Sequence, residues 1–406
     1  MQRKIIKIVL SILFFLDIVF GSEIDLTSEK YILYNLNDNE VLVSQDENTK
    51  TSIASLTKIM TVIVSIENIK DYDSKVIITQ DMLSGIDWDV STAGFKLNEE
   101  LTYNDLLYGT MLPSGADAAN ALAISIGKTK ENFVKLMNDK VKELNLKNTH
   151  FANVVGLYDK ENYSSAYDMA QILKYSLKNK KFKEVFESKE YTYTNGRKVK
   201  STIQKYNAST GKNISFITGS KTGYIRKSGY CLASTATLND VNYLLITLNA
   251  FSSESSIHIK DHVKAYSYFN DNYGYKNIVD EDDIICTLKT KDSKEKTIDI
   301  KANTNIKDYQ KNTFDKSKIK YEYVGVDKVS YFTRKGTKLG HVKINYEGEI
   351  LNEFDLIYNQ SLSFSLFSFI WDNIIIIIVV CLVLWVLIKA KKIQKRKRRK
   401  KHIRSV

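Results

Sequence analysis

The stretch Thr51-Ser52-Ile53-Ala54-Ser55-Leu56-Thr57-Lys58-Ile59-Met60 decides how the rest of the chain is read. Ser55 and Lys58 stand three residues apart at the head of an apolar run, Ile59 to Ile69, whose pattern predicts a helix. One helical turn places hydroxyl and amine on the same face. A hydroxyl is a poor nucleophile at neutral pH, and an amine accepts its proton only where burial or a neighbouring cation favours the neutral form. A helix N-terminus also offers backbone N–H groups to a developing oxyanion. Spacing alone does not single the pair out. Ser293-Lys296 and Ser317-Lys320 share it, in charged, strand-like sequence without an apolar helix behind them.

Working outward, Lys30 to Leu36 and Glu40 to Ser44 are β-prone runs joined by Asn37-Asp38-Asn39, which predicts a hairpin. Between about residues 71 and 200 the helical period dominates, over Asn104 to Leu112, Asp117 to Ile126, Glu131 to Leu144 and Ala166 to Leu177. Tyr230 to Ala236 and Asn242 to Asn249 flank the turn Thr237 to Asp240 as a second hairpin, and Ile257 to Phe269 follows as a helix. Strands on either side of a helical block predict an α/β fold, a sheet flanked by helices with an inserted helical lobe. Residues from about 275 to 360 alternate short strands such as Thr297 to Ile300 and Tyr321 to Val324, which predicts a smaller β-rich domain.

Two further stretches can carry chemistry. The only proline, Pro113, ends the Asn104 to Leu112 helix and precedes Ser114-Gly115-Ala116-Asp117, so Ser114 is presented from a rigid, tight turn. Farther on, Gly219-Ser220-Lys221-Thr222-Gly223-Tyr224 offers a cation and a hydroxyl to an anionic carboxylate, and Gly223 lets substrate backbone approach closely.

Together the three stretches resemble the Ser-x-x-Lys, Ser-x-Asn and Lys-Thr-Gly set of penicillin-recognising serine enzymes, in that order. More narrowly they resemble the D-alanyl-D-alanine carboxypeptidases, the low-molecular-mass penicillin-binding proteins. The likeness runs through most of residues 30–270, including Leu106-Leu107-Tyr108-Gly109-Thr110-Met111-Leu112-Pro113-Ser114-Gly115, Thr149-His150-Phe151-Ala152-Asn153 and Ser165-Ala166-Tyr167-Asp168-Met169. The resemblance implies Ser55 as acylated nucleophile, Lys58 as its base and Ser114 as a proton relay. It implies Lys221 and Thr222 as carboxylate holders, Gly223 beside the substrate, and the backbone N–H groups of Ser55 and Tyr224 as the oxyanion hole. It also implies a peptidoglycan stem peptide ending in D-Ala-D-Ala as substrate, β-lactams as covalent inhibitors and no cofactor or metal. One position departs: Ala116 stands where the family's second motif usually has asparagine. Losing one polar contact costs about 1–3 kcal/mol where its partner is left unpaired, so altered efficiency or specificity is expected, with Asp117 or Asn120 as the available substitutes.

The formal charge of +12 suggests nucleic acid only until it is located. Eleven of the positive charges lie in residues 389–406, which contain no acid, and a further two net in residues 1–21, leaving the body near −1. That distribution points to membrane topology and not to a nucleic-acid surface. Arg3, Lys4 and Lys7 before the apolar run Ile8 to Phe20 read as a signal peptide. Ile374 to Ile388 is an unbroken apolar run, extended by Phe367, Phe369, Ile370 and Trp371 to spanning length. The expected organisation is a signal peptide over 1–21, a penicillin-binding serine peptidase domain over 22–272, a β-rich domain over 273–362, a transmembrane helix over 367–389 and a basic cytoplasmic tail over 390–406, with the catalytic domain outside the cell membrane.

Two alternatives stay open from sequence. A β-lactamase shares the first and third motifs, but needs a glutamate-positioned water for deacylation and fits poorly with a β-rich domain and an anchor. A catalytically weakened peptidoglycan-binding protein is suggested by Ala116. A zinc peptidase is set aside, because His258 and His262 have helical spacing without an accompanying glutamate motif. They are expected to decorate their helix, and His150, His341 and His402 stand isolated. Cys231, Cys286 and Cys381 define no disulfide framework.

Overall fold

The computed structural model describes residues 24 to 403 apart from Ser209. The expected signal peptide lies outside the described residues. Two compact units meet between Asp271 and Asn272.

The first unit is built on a five-stranded antiparallel sheet of β1 (Ser28–Asn35), β2 (Glu40–Gln45), β3 (Ile217–Ile225), β4 (Gly229–Leu238) and β5 (Val241–Ala250), in the order β2-β1-β5-β4-β3. The alternation of a strand sorts its side chains by face. Ile32, Ile246 and Ala233 share one register row and belong to the main core. Ser28, Ser234 and Thr247 instead meet the helix Ile257–Asn272, through Asp261, His262 and Tyr266. The core face receives the lobe helices α1 (Thr57–Asn68), α2 (Tyr103–Met111), α3 (Ala116–Gly127), α4 (Lys130–Glu143) and α5 (Ala166–Ser176). Helix α1 is buried all round from Thr57 to Ile66, and is the centre of the lobe.

Sequence periodicity located these elements to within a few residues. It missed the helix Lys180–Glu187 and two short hairpins, Lys75–Ile77 with Glu100–Thr102 and Glu190–Thr192 with Lys198–Lys200. Three-residue strands are too short to show a period.

His258 and His262 do not decorate their helix: both are fully buried. His262 lies between Ser234 Oγ at 2.7 Å and Thr247 Oγ1 at 2.9 Å, and His258 stacks on Tyr230 at 5.2 Å. Each is held neutral, since burial lowers the imidazole pKa, to about 4 for His258. Nor is His341 isolated. It sits between Glu353 and Asp355, at 2.8 and 3.1 Å.

The second unit consists of small antiparallel sheets with one parallel pairing, Ile284–Lys291 against Lys328–Ser330, around a core that includes Ile278, Leu288, Ile300, Val342 and Leu356. After the strands come two helices, Leu366–Asp372 and Ile374–Ile403. Within the latter, Ile374–Arg396 is long and apolar enough to cross a membrane, its most apolar 18 residues having a mean hydropathy of 2.8 and no burial.

Candidate active site

Ser55 sits in a single 3-10 turn, Ala54–Leu56, that leads directly into α1. Ala54 adopts a positive φ of 46°, a region that favours glycine, and so turns the chain sharply just before the serine. Gly156, at φ 87°, packs against this turn so closely that a Cβ there would run into the Ala54 carbonyl. Lys58 follows on the first turn of α1, its Nζ 3.0 Å from Ser55 Oγ and 2.7 Å from the Val155 carbonyl oxygen.

Val155 is placed by a local device that spacing did not expose. The Asn153 side chain accepts hydrogen bonds from the N–H groups of Val155, Gly156 and Leu157, and donates to the Leu157 carbonyl at 3.0 Å. Asparagine is suited to such a turn because its amide mimics a backbone unit. The signal was an asparagine three residues before a glycine, Asn153, which ends a stretch already noted, and Gly156 just beyond it.

Ser114 comes from the break after α2. It takes φ 65° and its Oγ accepts a hydrogen bond from Lys221 Nζ at 2.8 Å. Lys221 lies on β3 opposite Ala233, and Gly223 opposite Cys231. Both partners belong to the main core, so this edge strand turns Lys221 and Gly223 towards the lobe. A Cβ on Gly223 would lie 3.1 Å from the Ser55 backbone nitrogen, so the strand meets the serine turn at van der Waals distance. Thr222 Oγ1 is 2.6 Å from Thr202 Oγ1, and the Thr202 N–H donates to the Leu112 carbonyl at 2.9 Å. Thr202 thus ties the third motif to the second, and no sequence pattern marked it. Tyr224 follows with a half-exposed ring, 4.4 Å from that of Tyr230.

Asp117 does not replace the missing asparagine. Its carboxylate accepts from the N–H groups of Ala93 at 2.7 Å and Phe95 at 2.9 Å, and is spent on holding that segment. Ala116 is buried, and Asn120, also buried, lies one helical turn farther along α3.

Electrostatics divides the two amines. Burial pushes Lys58 from its ordinary 10.5 down to about 7, against the upward pull of Asp117. Lys221 is also lowered, by burial first and then by the charge of Lys58. Two amines buried around one site disfavour being cations together. Burial is what leaves Lys58 partly unprotonated, and so available as a base, at neutral pH. A hydroxyl, a near-neutral amine, a second hydroxyl–amine pair and a strand with an open edge therefore converge, which suits acyl transfer through a serine. The Ser293-Lys296 and Ser317-Lys320 matches lack this setting: Ser293 bonds Glu295, and Ser317 bonds Asp315.

Comparison with known proteins agrees. The family model of D-alanyl-D-alanine carboxypeptidases, Peptidase_S11, matches residues 19–252. The chain is 30% identical over 344 residues to the D-alanyl-D-alanine carboxypeptidase DacF of Bacillus subtilis, covering 82% of this chain and 85% of the relative. It is 33% identical to Escherichia coli DacA over 220 residues, 52% of this chain and 53% of the relative. Among solved structures, penicillin binding protein 5 from Haemophilus influenzae shares the fold at a TM-score of 0.60 and 23% identity, covering 83% of this chain and 98% of that one. The Streptomyces K15 DD-transpeptidase matches at 0.54 and 27%, over 60% and 97%. By motif, fold and relatives alike, the chain belongs to the D-alanyl-D-alanine carboxypeptidases, the low-molecular-mass penicillin-binding family of serine hydrolases.

Proposed function

We propose that Ser55 is the nucleophile that removes the terminal D-alanine from peptidoglycan stem peptides ending in D-Ala-D-Ala, and that β-lactams acylate the same atom. The observation that carries this reading is the 3.0 Å approach of Ser55 Oγ to an amine whose pKa lies at about 7. Neutral Lys58 takes the Ser55 proton as the oxygen attacks the penultimate D-alanine carbonyl. The backbone N–H groups of Ser55 and Tyr224 hold the oxyanion. Lys221, charged once a substrate carboxylate arrives, binds that group with Thr222, while Gly223 leaves room for peptide against the open edge of β3. Ser114, bonded to Lys221, passes the proton to the departing D-alanine. Water then releases the acyl-enzyme. No metal or cofactor has a part in these steps.

The same proposal covers the chain's organisation. Residues 1–21 are a signal peptide, 22–272 the peptidase, 273–362 the β-rich domain and 367–389 a membrane anchor, with residues 390–406 cytoplasmic and the peptidase outside. The exposed apolar helix and the basic run after it support this topology.

Purified protein is expected to release D-alanine from a pentapeptide ending in D-Ala-D-Ala. Unchanged release by Ser55→Ala would remove Ser55 from its role, and rapid turnover of penicillin would favour a β-lactamase.

A further inference from the structure

The β-rich unit carries a surface of exposed aromatic rings beside the start of its apolar helix. Tyr331 and Phe332, in the loop after the strand Lys328–Ser330, meet Phe364, with ring centroids 5.2 and 6.2 Å away, and Phe332 lies 6.2 Å from Phe369. On the helix Leu366–Asp372, Phe367 and Trp371 stack at 6.4 Å. Exposure is 60% for Phe332, 79% for Phe367 and 68% for Trp371. Exposed Arg334 and Lys335 continue the loop.

The polar residues between this surface and the apolar helix are built into the same unit. Asp292 donates its N–H to the Asp372 carboxylate at 2.9 Å, and its own carboxylate accepts from Asn373 Nδ2 at 3.0 Å and Ser330 Oγ at 2.8 Å. Lys291 Nζ donates to Asn373 Oδ1 at 3.1 Å. The Tyr331 N–H donates to the Lys291 carbonyl at 3.0 Å, so one turn grips both the aromatic loop and the residues preceding Ile374. The helix is thus joined to the unit by hydrogen bonds and not by a free linker.

Contiguous exposed apolar surface on a soluble face marks an interaction site. The bilayer is the occupant its position and composition favour. Aromatic rings with flanking cations are the side chains that settle at the boundary between headgroups and hydrocarbon. The helix bearing Phe367 and Trp371 ends one residue before the apolar helix begins, so a helix crossing from Ile374 brings these rings to that boundary. We propose that the Tyr331-Phe332 loop and the helix Leu366–Asp372 lie in the outer interfacial layer of the membrane, seating the β-rich unit on lipid through its own side chains. This rests on the reading that the helix from Ile374 spans the bilayer.

The test uses the full chain in nanodiscs of phosphatidylethanolamine and phosphatidylglycerol, with benzoylphenylalanine replacing Phe332, Ile378 or the exposed Glu322 in turn. Retained labelling by fluorescent penicillin checks that each variant is folded. Lipid adducts at positions 332 and 378, with none at 322, are expected. Adducts at 378 but none at 332, or a protein adduct at 332, would overturn the interfacial seat and leave the spanning helix standing. Absence of lipid adducts at 378 would overturn the spanning reading and the seat with it.

Discussion

Raising the pH from 5.5 to 8.5 is expected to accelerate acylation of Ser55 by benzylpenicillin about 30-fold, along a single rising limb centred near pH 7. The magnitude follows from Lys58. An exposed lysine with a pKa of 10.5 is a free base in roughly one molecule in 3,000 at pH 7, whereas Lys58, lowered to about 7, is free in about half. Only the free amine accepts the Ser55 proton, so the rate falls about tenfold per pH unit well below the midpoint. The 3.5-unit shift corresponds to about 5 kcal/mol of preference for the neutral form. It carries a stability signature whose sign is fixed. Between about pH 7 and 10.5 the unfolded lysine keeps a proton that the folded one has lost, so stability rises with pH across that window. Lys58→Met removes the Lys58 share of this rise, leaving that of the equally buried Lys221, and abolishes acylation. Stopped-flow fluorescence with a labelled penicillin measures the rate, and thermal melts at several pH values measure the linkage. A flat profile, or a midpoint above about pH 9, would refute Lys58 as the base.

Three further outcomes follow from the geometry. Gly156→Ala places a Cβ against the Ala54 carbonyl from a backbone at φ 87°, so acylation should fall by more than about 100-fold while circular dichroism still reports a folded protein; near-normal acylation would mean the Ser55 turn tolerates displacement. Thr202→Val removes the 2.6 Å contact with Thr222, about 1 kcal/mol, and should raise KM for the stem peptide several-fold with little change in kcat. Ala116→Asn restores the amide usual in the second motif and should raise kcat/KM for D-alanine release by roughly tenfold, the weight of one polar contact; an unchanged value would mean that the site has compensated elsewhere.

Much of this was legible in the sequence because its signals are local. The apolar run after Lys58 fixed a buried helix, the lone Pro113 fixed a break, and the β-prone runs around Gly229 to Ala250 gave a hairpin, against whose first strand Lys221 pairs. What stayed hidden depends on contacts between distant residues. Thr202 is an ordinary threonine at the start of the short helix Thr202–Asn207 until Thr222 is brought beside it. Val155 contributes only a carbonyl, which has no sequence signature. Burial of His258 and His262 was misjudged for the same reason, since a helix facing polar Ser234 and Thr247 shows little of the usual apolar stripe. The part played by Asp117 likewise appears only when residues 91–95 fold back over α3.

Mass spectrometry of peptides from the benzylpenicillin-treated protein tests the central claim most directly. One intact penicilloyl group on the peptide containing Ser55, absent from Ser55→Ala, is the predicted result. Acylation of any other residue, or an adduct that persists in Ser55→Ala, would contradict it.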